Sequence, residues 1–147
     1  MNVHVQLKSP HYREMGSIAR LLHTRNDTRF PDLALQKGQF VFLTRLGENP
    51  GVTVVQLALL ARVDQTTATK AVQKLEAAGY LTRRPDPHDG RSQTLWPSDR
   101  ALSAYEVIVA AENADLDEGL WGFTAAESAV LLSLLERVRK NLEGETR

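Results

Sequence analysis

Between Thr53 and Trp96 the sequence sets two helical segments, a short link and a charged hairpin in a fixed order. The first segment, "VVQLALLA", is short and apolar. Thr53 and Gln56 have capping-box spacing: the hydroxyl accepts the amide three residues on, while the carboxamide reaches back. This predicts a helix over Val54 to Ala61. Arg62, Val63 and Asp64 form a tight three-residue link. Asp64 is an N-cap candidate, because a carboxylate accepts orphan amides and suits the positive end of a helix dipole. The helix it starts runs through "QTTATKAVQKLEAAG" to Gly79, which suits a left-handed C-cap. Ala68, Val72, Leu75 and Ala78 fall on an inward stripe, and Thr66, Thr69, Lys70 and Gln73 on the opposite face. Leu81 to Arg84 and Ser92 to Trp96 read as two short strands, joined by a loop with Pro85, Pro87 and Gly90.

Helical periodicity extends on both sides. Tyr12, Met15, Ile18, Ala19 and Leu22 predict a helix from about Pro10 to Arg25, with a loop over Asn26 to Asp32. Leu35, Phe40, Phe42, Leu43 and Leu46 predict a second helix ending at Gly47. After the hairpin, Ser98 caps a long helix over about Asp99 to Asp117, with Leu102, Tyr105, Val109 and Leu116 on one side. Gly119 to Phe123 breaks it. Thr124 and Glu127 repeat the capping-box spacing before a last helix that runs to about Leu142. The expected fold is mainly α with a small β-hairpin wing: a winged helix-turn-helix flanked by N- and C-terminal helices. The expected division is 1–34, 35–98 and 99–147.

In a helix-turn-helix the second helix lies in the major groove, and its N-terminal residues reach base edges. Here those residues are Gln65, Thr66, Thr67, Thr69, Lys70 and Gln73. Gln bonds adenine bidentately, and the Thr methyl can meet a thymine methyl. Lys70 and Lys74 have the reach and charge for phosphate or guanine. Arg83, Arg84, His88 and Arg91 line the hairpin, and an Arg at such a tip suits a narrow, electronegative minor groove. A polar helix face or a charged hairpin is often only solvated surface, and Asp86 and Asp89 cancel part of this charge. It is their conjunction at this spacing that points to double-stranded DNA.

The charge total argues the other way at first sight. The 147 residues carry 18 Lys+Arg and 18 Asp+Glu, a net of zero, whereas a DNA-binding domain is usually basic. Divided along the chain, residues 1–50 carry +3, residues 51–100 carry +2 and residues 101–147 carry −5. The acid is concentrated after the hairpin. With no Cys, disulfides, thiolate nucleophiles and thiol redox switches are excluded. The longest run without Lys, Arg, Asp or Glu, Asn49 to Ala61, is 13 residues, too short to span a bilayer. No HExxH, GxSxG or phosphate-cradling glycine loop is present, and the four His are scattered. The reading is therefore a cytoplasmic, non-enzymatic protein without metal, cofactor or membrane association.

From Gly38 to Arg100 the chain resembles the MarR family of bacterial transcription regulators. The matching pieces are "GQFVFLTRLGENPGVTVVQLA" and "VDQTTATKAVQKLEAAGYLTRRPDPHDGRSQTLWPSDRA", with "LEAAGYLTRRPDPHDGR" the most specific. The family's Asp-x-Arg wing tip falls on Asp89 and Arg91. One departure is "LWPSDRA" where the family usually runs into Leu-Thr-x-x-Gly, so Trp96 and Pro97 alter the hinge into the long helix. Asp89 is expected to brace the Arg91 guanidinium by a bidentate pair.

The resemblance implies a homodimer built from the first and last helices, so that 1–34 and 99–147 become dimerisation segments. The dimer would repress transcription from a pseudo-palindromic operator. It also implies release by a small aromatic or anionic effector, for which His11, Met15 and Arg20 are the candidate liners. An alternative the residues leave open is a winged helix that docks on protein. The polar first turn, Gln65 to Lys70, lacks the exposed aromatic or large apolar anchors such a surface favours.

Overall fold

The computed structural model describes residues 5–144, which form two compact units divided between Ala111 and Glu112. The first unit begins with helix α1 (His11–Arg29), followed by a 3-10 turn (Pro31–Leu33), α2 (Gln39–Glu48), α3 (Val54–Ala61) and α4 (Gln65–Ala77). Strands β1 (Leu81–Pro85) and β2 (Gln93–Pro97) make an antiparallel hairpin, and α5 (Asp99–Gly119) runs on into the second unit. That unit also holds α6 (Ala125–Glu143). The mainly helical architecture with a hairpin wing is the one expected.

Local chemistry sets the helix starts. The Thr53 hydroxyl accepts the Gln56 amide at 3.2 Å and Gln56 Oε1 accepts the Thr53 amide at 2.9 Å, so the capping box closes in both directions. Thr124 caps α6 by accepting the Glu127 amide at 3.1 Å. Gly79, φ +79°, follows α4 in the left-handed region, as expected of a C-cap glycine. α1 runs four residues past the expected end, through a polar turn in which the Thr28 hydroxyl bonds back to the Thr24 carbonyl at 3.0 Å.

The core joins α2, α3, α4, the hairpin and the start of α5. Phe42, Leu43, Leu46, Leu57, Val72, Leu75, Tyr80, Leu95 and Ile108 are almost wholly buried. The inward stripe of α4 is Ala68, Ala71, Val72 and Leu75. The stripe of α5 differs from expectation. Ala101, Ala104 and Ile108 face the core with Tyr105 beside them, while Leu102 is 42% and Leu116 55% exposed. Small residues let α5 approach closely: a Cβ added at Gly47 of α2 would lie 2.8 Å from Tyr105 Cδ2. Leu95 also bridges to Val52, through Leu95 N–H to Val52 O at 2.7 Å and Gly51 N–H to Leu95 O at 2.8 Å. That bridge pins the base of the wing to the segment leading into α3.

Candidate nucleic-acid interface

The α3–α4 link sets the exposed face of α4. Arg62 adopts a left-handed conformation, φ 57°, and Val63 N–H returns to Ala58 O at 3.0 Å. The chain therefore reverses within three residues and delivers Asp64 to the N-cap. Its carboxylate accepts the Thr67 amide at 2.8 Å and the Thr67 hydroxyl at 2.7 Å. These two bonds, the amide foremost, hold the Asp64 carboxyl below the usual carboxylate range. With α4 fixed this way, its inward stripe is seated on α2 and α3. Gln65, Thr66, Thr69, Lys70 and Gln73 are left lining one open depression on the outer side. Thr67 stands at the cap with its hydroxyl proton committed to Asp64.

The remaining basic candidates divide by what they already hold. Lys74 Nζ donates to Gln36 Oε1 at 3.0 Å, tying α4 to the segment before α2. Arg83 pairs through Nε with Glu76 of α4. Arg84 is exposed, with Cζ 4.3 Å above the centroid of the Trp96 ring. His88 and Arg91 are exposed at the hairpin tip. The tip is closed by Asp86 N–H to Ser92 O at 3.1 Å and Ser92 N–H to Asp89 O at 3.0 Å.

Asp89 does not brace Arg91 as expected. Its Oδ1 accepts the Arg91 backbone amide at 3.0 Å, an Asx turn, and Asp86 does the same for the His88 amide at 2.9 Å. No Asp89–Arg91 side-chain pair forms, because the carboxylate is turned into the backbone of the loop. The two wing acids therefore shape the tip and leave the Arg91 guanidinium pointing to solvent.

Comparison with known proteins agrees with this geometry. Residues 32–92 match the sequence model of the MarR family. An HTH-type transcriptional regulator of Bacillus subtilis, YybA, is 37% identical over 131 residues, covering 89% of this chain and 87% of that protein. The chain belongs to the MarR family. A solved MarR protein from Peptoclostridium difficile is 41% identical with a TM-score of 0.86, covering 99% of this chain and 97% of that one. A MarR-family regulator from Listeria monocytogenes, solved in complex with 26mer DNA, is 30% identical with a TM-score of 0.84, covering 91% of this chain and 89% of that one. As a MarR-family member the chain is a transcriptional regulator and not an enzyme. None of its described helices is long and apolar enough to cross a membrane.

The effector candidates lie apart in this MarR-family chain. His11 and Met15 share a face of α1, and His11 Nδ1 is hydrogen-bonded to the Ser9 hydroxyl. Arg20 is nine residues from His11, about 13 Å along the helix and half a turn round it, and donates to Ser17 Oγ at 3.3 Å. A single α1 does not gather the three.

Two functional details escaped the sequence reading. Arg100 stacks on Tyr80, 4.3 Å from the ring centroid, and donates to the Ala78 carbonyl, so one cation of the 51–100 segment secures the end of α4. The Tyr80 hydroxyl in turn donates to the Leu33 carbonyl. The stack of Arg84 on Trp96 is the second. Its only trace in the sequence is the aromatic in the "LWP" departure.

Proposed function

We propose that this regulator binds double-stranded DNA, with the outer face of α4 in the major groove and the hairpin wing in the adjacent minor groove. The observation that carries this reading is the polar depression lined by Gln65, Thr66, Thr69, Lys70 and Gln73, with an exposed Arg91 on the wing. An α-helix fits the major groove, and these side chains offer donors and acceptors to base edges. Lys70 supplies phosphate attraction, while Thr67, Lys74, Arg83, Arg84 and His88 flank the contact. Arg91 enters the minor groove, where the negative potential is enhanced.

The functional unit is a homodimer on a pseudo-palindromic operator, with half-sites ~10 bp apart. α1 and α6 bury no residue, yet they expose Tyr12, Ile18, Leu21, Leu132, Leu134 and Leu135. Apolar faces of this extent mark an association surface, and segments 1–34 and 99–147 supply it. The dimer represses transcription in the cytoplasm and leaves DNA when a small aromatic or anionic compound binds beside α1, with His11, Met15 and Arg20 the candidate contacts.

The test is selection from a random pool of 26-bp duplexes, with salt titration of the recovered sequence and sedimentation of the free protein. An inverted repeat, a linear fall of log K with log salt and a two-chain species support the reading. Failure to retain any duplex at low salt overturns it and favours a protein-docking winged helix.

A further inference from the structure

Trp96 occupies the face of the hairpin turned away from α4. In the β1–β2 register Arg84 opposes Thr94 and Thr82 opposes Trp96, so Arg84 and Trp96 are diagonal neighbours on one face. The indole is fixed from three sides. Its Nε1–H donates to Thr94 Oγ1 at 2.9 Å, and that hydroxyl donates to the Arg84 carbonyl at 3.2 Å. Thr94 is 8% exposed although it sits on the outer face. At the far edge, a Cβ built on Gly51 would lie 3.0 Å from Trp96 Cζ2, and Gly51 holds φ +88°. The ring rests on a backbone that leaves room for no side chain. Its remaining exposed surface carries the Arg84 guanidinium, 4.3 Å from the centroid. Among the described residues no carboxylate pairs with Arg84.

We propose that Trp96 is a positioning residue for DNA binding: it holds the Arg84 guanidinium over its ring, with N–H donors free for a phosphate. The proposal rests on the wing facing DNA, as above. Stacking uses the π face of a guanidinium and leaves its in-plane donors available. A long side chain held this way loses less rotamer freedom on binding than one free in water. Arg83, one residue earlier, points to the opposite face and is held by Glu76, so the two adjacent arginines have separate roles.

The experiment is a double-mutant cycle on the duplex recovered by the wild-type chain. Trp96→Leu is expected to weaken binding about fivefold, the size of one exposed cation–π contact, and Trp96→Phe to restore most of that loss. In an Arg84→Ala background, Trp96→Leu is expected to add nothing. An equal loss with and without Arg84 would make Trp96 merely structural and overturn the proposal. So would unchanged binding by Arg84→Ala. If Arg84→Ala is silent while Arg91→Ala still weakens binding, the positioning role fails and the DNA-binding reading stands. A second readout needs no DNA. Trp121, 86% exposed, is the other Trp, so Trp121→Phe leaves Trp96 as the sole indole. Arg84→Ala in that background is expected to shift Trp96 emission, and unchanged emission with intact helical circular dichroism would sink the stack itself.

Discussion

Glu76, in the last turn of α4, grips the Nε of Arg83, in the first strand of the wing. The pair links the helix to the hairpin, and it engages an Arg83 that would otherwise be free to meet a polyanion. Both side chains are partly exposed, 43% and 26%, so solvent screening keeps the contribution to stability below about 1 kcal/mol. Arg83→Ala is expected to change DNA affinity less than Arg91→Ala does. Glu76→Gln is expected to tighten binding to all sequences and steepen the salt slope by up to about one unit, since it frees one cation. Titrations at several salt concentrations measure both. A large loss of affinity in Arg83→Ala alone would show that Arg83 leaves Glu76 for DNA.

At the wing tip, Asp89 accepts the Arg91 amide through a side-chain oxygen. Asn offers the same acceptor without the charge, so Asp89→Asn is expected to keep DNA affinity and Asp89→Ala to lose it. A guanidinium brace would instead fail in both variants. Arg91→Ala is expected to cost about 1–3 kcal/mol of binding, the size of one good groove contact. Affinities of the three variants for one duplex decide between the two roles.

Local chemistry was the legible part. The caps at Thr53, Asp64 and Thr124 involve residues three apart, and each hydroxyl or carboxylate accepts its amide as expected, although at Thr124 the Glu127 side chain does not complete the box that Gln56 completes at Thr53. The sequence puts Leu102, Tyr105, Val109 and Leu116 on one side of α5, whereas the residues that face the core are Ala101, Ala104 and Ile108. Which side of α5 is buried depends on packing against residues distant in sequence, as where Gly47 meets Tyr105, and no local pattern encodes it. α1 ended too early in the reading because its last turn is polar. Residue types at the interface were readable from helix and hairpin spacing. Their commitments were not, because Lys74 meets Gln36 from 38 residues away and Arg83 meets Glu76 across two elements.

Asp64 couples α4 to pH. Its carboxyl is held below the usual range by the Thr67 amide and then the Thr67 hydroxyl. For a depressed acid, the stabilising contribution is complete above the unfolded value of about 3.9 and is lost as pH falls through the lower folded value. Wild type is therefore expected to lose thermal stability as pH falls below about 4 more steeply than Asp64→Asn, whose cap does not titrate. The Tm gap between the two is expected to narrow over that fall in pH. Parallel Tm curves would show that the two Thr67 bonds do not favour the charged form.

Gly47 gives the sharpest packing test. It lies inside α2, where Ala would ordinarily gain about 1 kcal/mol of helix propensity over Gly. A Cβ there would sit 2.8 Å from Tyr105 Cδ2 and 3.1 Å from its Cγ, closer than carbon atoms approach. Tyr105 is packed against the core from the stretch of α5 that faces it, so a displaced ring gives up those contacts or shifts the helix. Overpacking of this kind costs about 1–3 kcal/mol and outweighs the propensity gain. Gly47→Ala is expected to lower stability, whereas Gly47→Ala with Tyr105→Leu is expected to recover much of it by removing the ring. Denaturant midpoints of the wild type, both single variants and the double variant give the coupling. A stabilised Gly47→Ala single variant would mean that α2 and α5 are less tightly apposed than the 2.8 Å approach implies.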